Sequence, residues 1–346
     1  MINVLLVEES AVTANYLTYM LEADPAIRVI ATASGGEEAL VSIGKHRPDV
    51  ILMDLHMPGI DGFETARRIM CSDPIPIVIC TATDFDEVHT AMDALTAGAL
   101  AVMKKPSGFD DPNVEAAAII QTLKLMSEVK VVRRWNRSEV AKSFIPGPIP
   151  CDPAGDDVAI VAIGASTGGP PVIMKILSGL SPAFPVPILI VQHISTGFAA
   201  GFADWLGSAS RFPVHIARGG EIPLPGHAYV APDDKHLRVG TRGELQTTQD
   251  APFKRLRPSV GVLFRSVAEQ FGRRAVGVLL TGMGDDGAEE LKLMADRGAL
   301  TIVQDEESCV VFGMPREAIK LGAARFVVPP NRIVELLAPL ERCSQE

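Results

Sequence analysis

The 346-residue chain has no apolar run near the roughly 18 residues that a membrane-spanning helix needs. Its first residues are apolar only as far as Val7, where Glu8 and Glu9 interrupt them, so no secretory leader and no direct membrane insertion are read there. Cysteine is scarce. Cys71, Cys80, Cys151, Cys309 and Cys343 are odd in number, scattered, and never spaced C-x-x-C. That usage suits neither a disulfide framework nor a zinc site and reads as a reduced, cytoplasmic compartment. Basic blocks are missing too. Residues 1–125 hold 18 acidic against 8 basic side chains and the remainder holds 24 of each sign, so the net charge of −10 falls in the first part. Neither part offers the basic surface that nucleic acid requires.

The length is that of two domains, and 47% hydrophobic with 21% charged side chains is the composition of soluble domains with real cores. Residues 1–125 alternate between buried-strand runs (Ile2–Val7, Arg28–Thr32, Val50–Met53, Pro76–Thr81, Leu100–Met103) and helical segments (Ala11–Glu22, Gly36–Gly44, Gly62–Met70, Asp86–Thr96, Pro112–Val129). Five β/α repeats predict a doubly wound parallel sheet. The C-termini of such strands gather at one end, where ligands bind. There the sequence places Glu8 and Glu9 after the first strand, Asp54 after the third, Thr81 closing the fourth and Lys105-Pro106 after the fifth. Any one of these is an ordinary polar strand end; all four at the expected strands make a site. Grouped carboxylates suit Mg²⁺, which takes hard oxygen ligands. A hydroxyl and a lysine beyond them suit an anionic group carried by Asp54.

From about Lys130 the pattern breaks. Residues 131–137 are basic around a lone Trp135, and 144–153 are too proline-rich for helix or sheet. The reading is a first domain at 1–125, a linker at 126–155 with Trp135 packed between domains, and a second domain at 156–346.

In the second domain the buried-strand run Val158–Ile163 enters the turn Gly164-Ala-Ser-Thr-Gly-Gly169. Pro170 and Pro171 then open a helix, since the first helical turn has no use for the missing N–H. Two more strands, Val186–Gln192 and Ala275–Thr281, end in His193 and in Gly282-Met-Gly-Asp-Asp-Gly287. A serine needs an adjacent base to become a nucleophile. Histidine titrates in the right range, and a carboxylate fixes its tautomer and steadies the imidazolium. Ser166, His193 and one of Asp285 or Asp286 therefore predict acyl chemistry, with an N–H such as that of Met283 for the oxyanion. Taken singly, these are a cap, a hydrogen-bonding histidine and a turn; their joint placement at the tips of one sheet carries the reading. His215, His227 and His236 are rival bases in a Pro/Gly-rich stretch that reads as short strands and a hairpin (Ala228–Ala231, His236–Val239).

Other uses of the glycine-rich turn fail on the letters. A P-loop needs Gly-Lys-Ser/Thr, and Gly169 is followed by Pro170; a dinucleotide fingerprint needs glycine where Ser166 stands, and an acid where the next strand gives Gln192-His193. Gly164-Ala-Ser-Thr-Gly168 satisfies G-x-S-x-G, but in α/β-hydrolases the acid precedes the histidine. No histidine follows His236, so the order of Ser166, His193 and the Asp285-Asp286 pair points to a different hydrolase architecture.

The segment Val50-Ile-Leu-Met-Asp-Leu-His-Met-Pro-Gly-Ile-Asp-Gly62 resembles the phosphoacceptor segment of response-regulator receiver domains. The resemblance implies that Asp54 takes a phosphoryl group from a chemosensory histidine kinase. It implies that Glu8, Glu9 and Asp54 hold Mg²⁺ and that Thr81 and Lys105 sense the phosphoryl. Glu9 stands where the family usually has Asp, and Val102 where many receivers have an aromatic. Downstream, Gly164-Ala-Ser-Thr-Gly-Gly169, Val191-Gln-His193, Gly226-His-Ala-Tyr-Val-Ala-Pro232, Arg257-Pro-Ser-Val260, Thr281-Gly-Met-Gly-Asp-Asp-Gly287 and Gly313-Met-Pro315 resemble the catalytic domain of chemotaxis protein-glutamate methylesterases.

That resemblance implies an α/β chain of two doubly wound parallel-sheet domains. The first is a flavodoxin-like receiver and the second a Rossmann-like esterase domain with an antiparallel hairpin. It implies hydrolysis of glutamate γ-methyl esters, and deamidation of glutamine, on methyl-accepting chemotaxis receptors, with no cofactor for the esterase and with the unphosphorylated receiver restraining it. Ser166 would be the nucleophile, His193 the base and acid, and Asp286 rather than Asp285 the orienting carboxylate, because the family pattern is G-M-G-x-D-G. Gly261 stands where relatives usually carry an acid, so a contact there is missing or replaced. The competing readings are a non-catalytic, receiver-controlled signalling adaptor and a hydrolase of small esters.

Overall fold

The computed structural model describes residues 1–81, 85–106, 112–129, 131, 158–181 and 183–341. The chain divides into two compact units, Met1–Ser143 and Phe144–Glu346. Most of the predicted linker, Trp135 included, lies outside the described residues. Among those described, no helix is long and apolar enough to cross a membrane.

In the first unit β1 (Ile2–Val7), β2 (Ile27–Ala33), β3 (Val50–Met53), β4 (Ile77–Thr81) and β5 (Ala101–Lys104) form a parallel sheet in the order β2-β1-β3-β4-β5. Between them run α1 (Ala11–Glu22), α2 (Gly36–Lys45), α3 (Gly62–Ser72) and α4 (Phe85–Ala97), and α5 (Pro112–Ser127) follows. Val4–Val7 and all of β3 and β4 are buried. A strand covered on both faces reads as an unbroken apolar run rather than an alternation, which is why these strands are visible in the sequence. Helix starts are equally local: Ser10 Oγ accepts the Thr13 N–H (3.3 Å) to cap α1, and Asp61 accepts the Glu64 N–H (2.8 Å) to cap α3.

The second unit holds β6 (Ile160–Ala165), α6 (Gly169–Ser178), β7 (Ile188–Gln192), α7 (Ala199–Ser210), β8 (Val214–Ile216) and β9 (Ala228–Val230). It continues with β10 (His236–Val239), β11 (Leu245–Thr248), α8 (Val260–Phe271), β12 (Ala275–Leu279), α9 (Ala288–Asp296) and β13 (Leu300–Gln304). It ends with α10 (Met314–Lys320), β14 (Phe326–Val328) and α11 (Pro330–Leu337). Seven strands pair in parallel in the order β14-β13-β12-β6-β7-β9-β8, with β10 and β11 as a separate antiparallel hairpin. Ala228–Val230 is thus not part of the hairpin: it lies in the main sheet between β7 and β8. A three-residue strand has too little pattern to declare its partner. Leu263, Phe264 and Val267 of α8 pack into one buried core with Leu237, Val239 and Leu245 of the hairpin and Leu279 of β12. Burying each such side chain is worth about 1.5–3 kcal/mol over leaving it exposed. The chain builds outward from β6 on one side, then returns to lay β12 on the other, so the strand order reverses at β6. That crevice, at the carboxyl ends, is where an open α/β sheet collects its chemistry.

Candidate active site and phosphoacceptor site

Strands β6 and β7 are in register through Ala165 and Gln192, so Ser166 and His193 leave the sheet side by side. The His193 N–H donates to the Ala165 carbonyl (2.9 Å) and the Ser166 N–H to that of Thr281 (3.0 Å). Buried Gln192 braces the pair, its Nε2 donating to the carbonyls of both Ser166 and His193 at 2.8 Å. Gly282 must be glycine here: a Cβ would lie 2.6 Å from that of Ser166. Thr281 ties down the neighbouring loop, its Oγ1 donating to the Thr167 carbonyl (2.9 Å) and accepting the N–H groups of Val310 and Val311 (3.1 and 3.0 Å).

His193 Nε2 stands 2.9 Å from Asp286 Oδ2. Asp286 is only 2% exposed, and Oδ2 also accepts the Val260 N–H (2.7 Å). Its Oδ1 accepts the Ser259 hydroxyl (2.8 Å) and the Gly261 N–H (3.1 Å). All of the roughly four lone-pair positions of the carboxylate are therefore filled. Three of the donors come from the first turn of α8, whose partial positive charge favours an anion. Burial pushes the Asp286 carboxyl up, but the hydrogen bonds from His193, Ser259 and Gly261 outweigh it and hold it below its ordinary value. A carboxylate acceptor makes Nε2 the protonated nitrogen of neutral His193 and leaves Nδ1 with the free lone pair.

Of the other candidates, Asp285 takes Lys254 Nζ at 2.7 Å, and it is Asp286 that bonds to His193. His215 and His227 bond to each other (2.8 Å), and buried His236 accepts the Ser259 N–H on Nδ1 at 3.3 Å. Met283 is 40% exposed, and among the described residues neither its N–H nor that of Thr167 makes a hydrogen bond. Gly261 gives its N–H to Asp286, and the space a side chain would need lies 2.8 Å from Oε2 of the buried Glu290, whose Oε1 pairs with Arg265 (2.8 Å). Gln192 and Ser259 escaped the sequence reading. Ser259 had a signal, a serine just ahead of an amphipathic run, which marks a helix cap.

In the first unit Glu8 and Asp54 are 4% and 6% exposed at the tips of β1 and β3. Lys105 Nζ lies between them, 2.8 Å from Glu8 Oε2 and 2.7 Å from Asp54 Oδ2. Burial pulls the Lys105 ammonium down, yet the hydrogen bonds to Asp54 and Glu8 prevail and raise it above its ordinary value. Asp54 Oδ1 accepts the Leu55 N–H (2.8 Å), and buried Thr81 receives the Lys105 N–H on its carbonyl (2.7 Å). Glu9 is placed differently from Glu8. It is exposed, and no three acidic, histidine or cysteine side chains are grouped to hold a metal ion among the described residues. Glu9 falls at a bend beyond the end of β1, where its side chain lies in the open while that of Glu8 is buried.

A sheet with paired carboxylates and a lysine at its tips, followed by a sheet with serine, histidine and aspartate at its own, is the layout of a response regulator with a hydrolase for its output. Family comparison agrees: residues 4–117 match the response regulator receiver domain and residues 161–337 the CheB methylesterase. A protein-glutamate methylesterase/protein-glutamine glutaminase of Nitrosospira multiformis is 53% identical over 98% of this chain and 97% of its own. One from Geobacter metallireducens is 50% identical over 98% and 99%. The crystal structure of the Thermotoga maritima CheB methylesterase catalytic domain aligns with a TM-score of 0.51 at 38% identity, over 53% of this chain and 98% of that one. The chain belongs to the CheB methylesterase family.

Proposed function

We propose that the protein hydrolyses glutamate γ-methyl esters, and deamidates glutamines, on the signalling domains of chemoreceptors under the control of phosphorylation at Asp54. The observation that carries this reading is the His193–Asp286 hydrogen bond formed one residue past the strand tip that pairs with the tip bearing Ser166. Ser166 Oγ attacks the ester carbonyl while His193 Nδ1 takes its proton. The oxyanion meets the free N–H groups of Met283 and Thr167. The imidazolium returns its proton to the departing methoxide, releasing methanol; from a glutamine the same step releases ammonia. Water, deprotonated by His193, then cleaves the acyl-enzyme and leaves the glutamate carboxylate. Asp286 keeps its charge throughout and holds the ring, while Ser259 acts as a positioning residue through Asp286.

In the first unit, Asp54 accepts the phosphoryl from a chemosensory histidine kinase. Two buried carboxylates against one lysine leave a net negative pocket of oxygen donors, which fits Mg²⁺. Glu8 and Asp54 would hold the ion, with Glu9 joining by turning its side chain inward; when bound it neutralises charge at the phosphoacceptor. Lys105 then exchanges a carboxylate for the phosphoryl oxygens, and Thr81 offers its hydroxyl. The added charge of about −1.5 to −2 re-pairs Lys105 and changes what this end of the sheet presents.

The test is methanol release from methylated receptor membranes, with and without a small-molecule phosphodonor. Release that rises with phosphodonor, and falls on the order of 10³-fold or more in Ser166→Ala, is expected. Unchanged turnover in that variant removes the esterase mechanism, and an unchanged rate with phosphodonor removes the control by Asp54.

A further inference from the structure

Beside the site, a tight turn is held in a conformation its residues disfavour. Phe253 and Leu256 exchange backbone hydrogen bonds (3.1 and 2.9 Å) across Lys254 and Arg255. Both central residues have positive φ, 49° and 67°, where such turns ordinarily carry Asn-Gly. A side chain in this region strains the backbone, and strain that is retained points to a use for the side chains that impose it.

Lys254 supplies half of the explanation. Its Nζ binds Asp285 Oδ2 at 2.7 Å and reaches Glu289 Oε1 at 3.8 Å, which moors the turn to the loop that carries Asp286. Phe253 adds a second attachment: its ring edge lies 3.0 Å from the Cβ position of Gly261, whose N–H holds Asp286. Arg255 is left over. Nearby, Lys254 is engaged by Asp285, Arg257 by Asp234 and Arg265 by Glu290. Arg255 is exposed and makes no hydrogen bond or ion pair among the described residues.

We infer that the Lys254-Arg255 turn is a substrate-recognition element, in which Arg255 binds a carboxylate flanking the scissile ester on a helical substrate segment. This rests on the reading given under Proposed function. Each turnover of that reaction leaves a carboxylate behind, so a helix carrying more than one such ester would become more acidic as it is processed. Residues three and four apart share one helix face, and a guanidinium grips a carboxylate through two parallel N–H···O bonds. Arg255 therefore favours esters whose neighbours on that face are already glutamates, and gives successive hydrolyses an order along the helix.

The full chain, with phosphodonor present, is assayed on two receptor signalling fragments carrying the same methyl ester. One has Glu and the other Ala three or four residues away. The wild type is expected to show kcat/KM about 5-fold higher on the Glu fragment, through KM, with the advantage shrinking as salt is added. Arg255→Ala is expected to abolish the preference and Arg255→Glu to reverse it, with kcat within about two-fold in each. Arg255→Gly, which also removes the strain at 255, is expected to melt about 2–4 °C above Arg255→Ala while losing the same preference, so that the loss is not one of folding. A preference that persists in Arg255→Ala, or a loss carried by kcat, overturns the proposal. So does a KM effect seen only without phosphodonor, which assigns Arg255 to the acidic first unit. Failure of the wild type on both fragments removes instead the reading on which the proposal stands.

Discussion

Two buried aspartates, Asp54 and Asp286, sit at the crevices of two parallel sheets, yet their surroundings differ in one respect that decides what each can do. Asp286 accepts four hydrogen bonds, three of them from the first turn of α8. Among the described residues, Asp54 accepts one from the Leu55 N–H and one from Lys105 Nζ. A carboxylate with every lone pair engaged cannot attack anything; it can only orient and stabilise a charge. One with lone pairs to spare, held by a lysine that can change partners, can form a new bond. The same side chain, buried in both places, has the surroundings of a fixed brace in one unit and those the proposed phosphoacceptor needs in the other.

The sharpest way to break this contrast is to make the two aspartates amides. Asp286→Asn is expected to lower kcat by about 10³–10⁴-fold, measured as methanol release from a folded variant. Asp54→Asn should leave basal esterase turnover in place and abolish both phosphoryl incorporation and the response to phosphodonor. If Asp286→Asn keeps near-wild-type turnover, the brace is dispensable and the contrast fails.

Ser259 tests the brace one step removed. Ser259→Ala leaves a buried acceptor on Asp286 without its donor, at about 1–3 kcal/mol, and removes the α8 cap, at about 1 kcal/mol. A lower Tm and a kcat about 10-fold down at unchanged KM are expected. Ser259→Thr, which keeps the hydroxyl, should restore kcat, and Ser259→Gly, which is nearly neutral as a cap, should not. Recovery of kcat in Ser259→Gly would mean that the serine only caps its helix.

Acid and alkali should separate the two units. The Asp286 carboxyl lies below its ordinary 3.8 in the folded protein. Its contribution to stability is therefore complete above the unfolded value and is lost as pH falls through the lower folded one. The Lys105 ammonium lies above its ordinary 10.5, so its contribution is complete below that value and is lost as pH rises through the higher folded one. Calorimetry across pH should show Asp286→Asn flattening the acid limb and Lys105→Met the alkaline limb. The smallest effect is expected from Gly261→Ala, whose Cβ would meet Glu290 Oε2 at 2.8 Å. That side chain end can shift, so a loss of about 1 kcal/mol is expected in denaturant unfolding.

What the sequence disclosed about these sites follows from how parallel sheets are built. Fully buried strands announce themselves as apolar runs, and their C-terminal neighbours, among them Ser166, His193, Asp54 and Lys105, are then candidates by position. Gln192 was invisible as a brace, because its task depends on the register that sets β6 beside β7 and links residues 26 apart. The hold of Ser259 on Asp286 spans 27 residues and needs α8 to point its first turn at the β12 loop, which no local pattern encodes. That Glu9 lies exposed while Glu8 is buried was not legible either, because a run of acids shows composition but not which way each side chain turns.

Because Asp286 is stitched to the amide groups of Val260 and Gly261, its release of His193 and the fraying of one helical turn become a single event. Those two amides should exchange with deuterium only when the imidazole is also released. Heat inactivation would then follow the opening of that turn, at temperatures where the seven-stranded sheet is still intact.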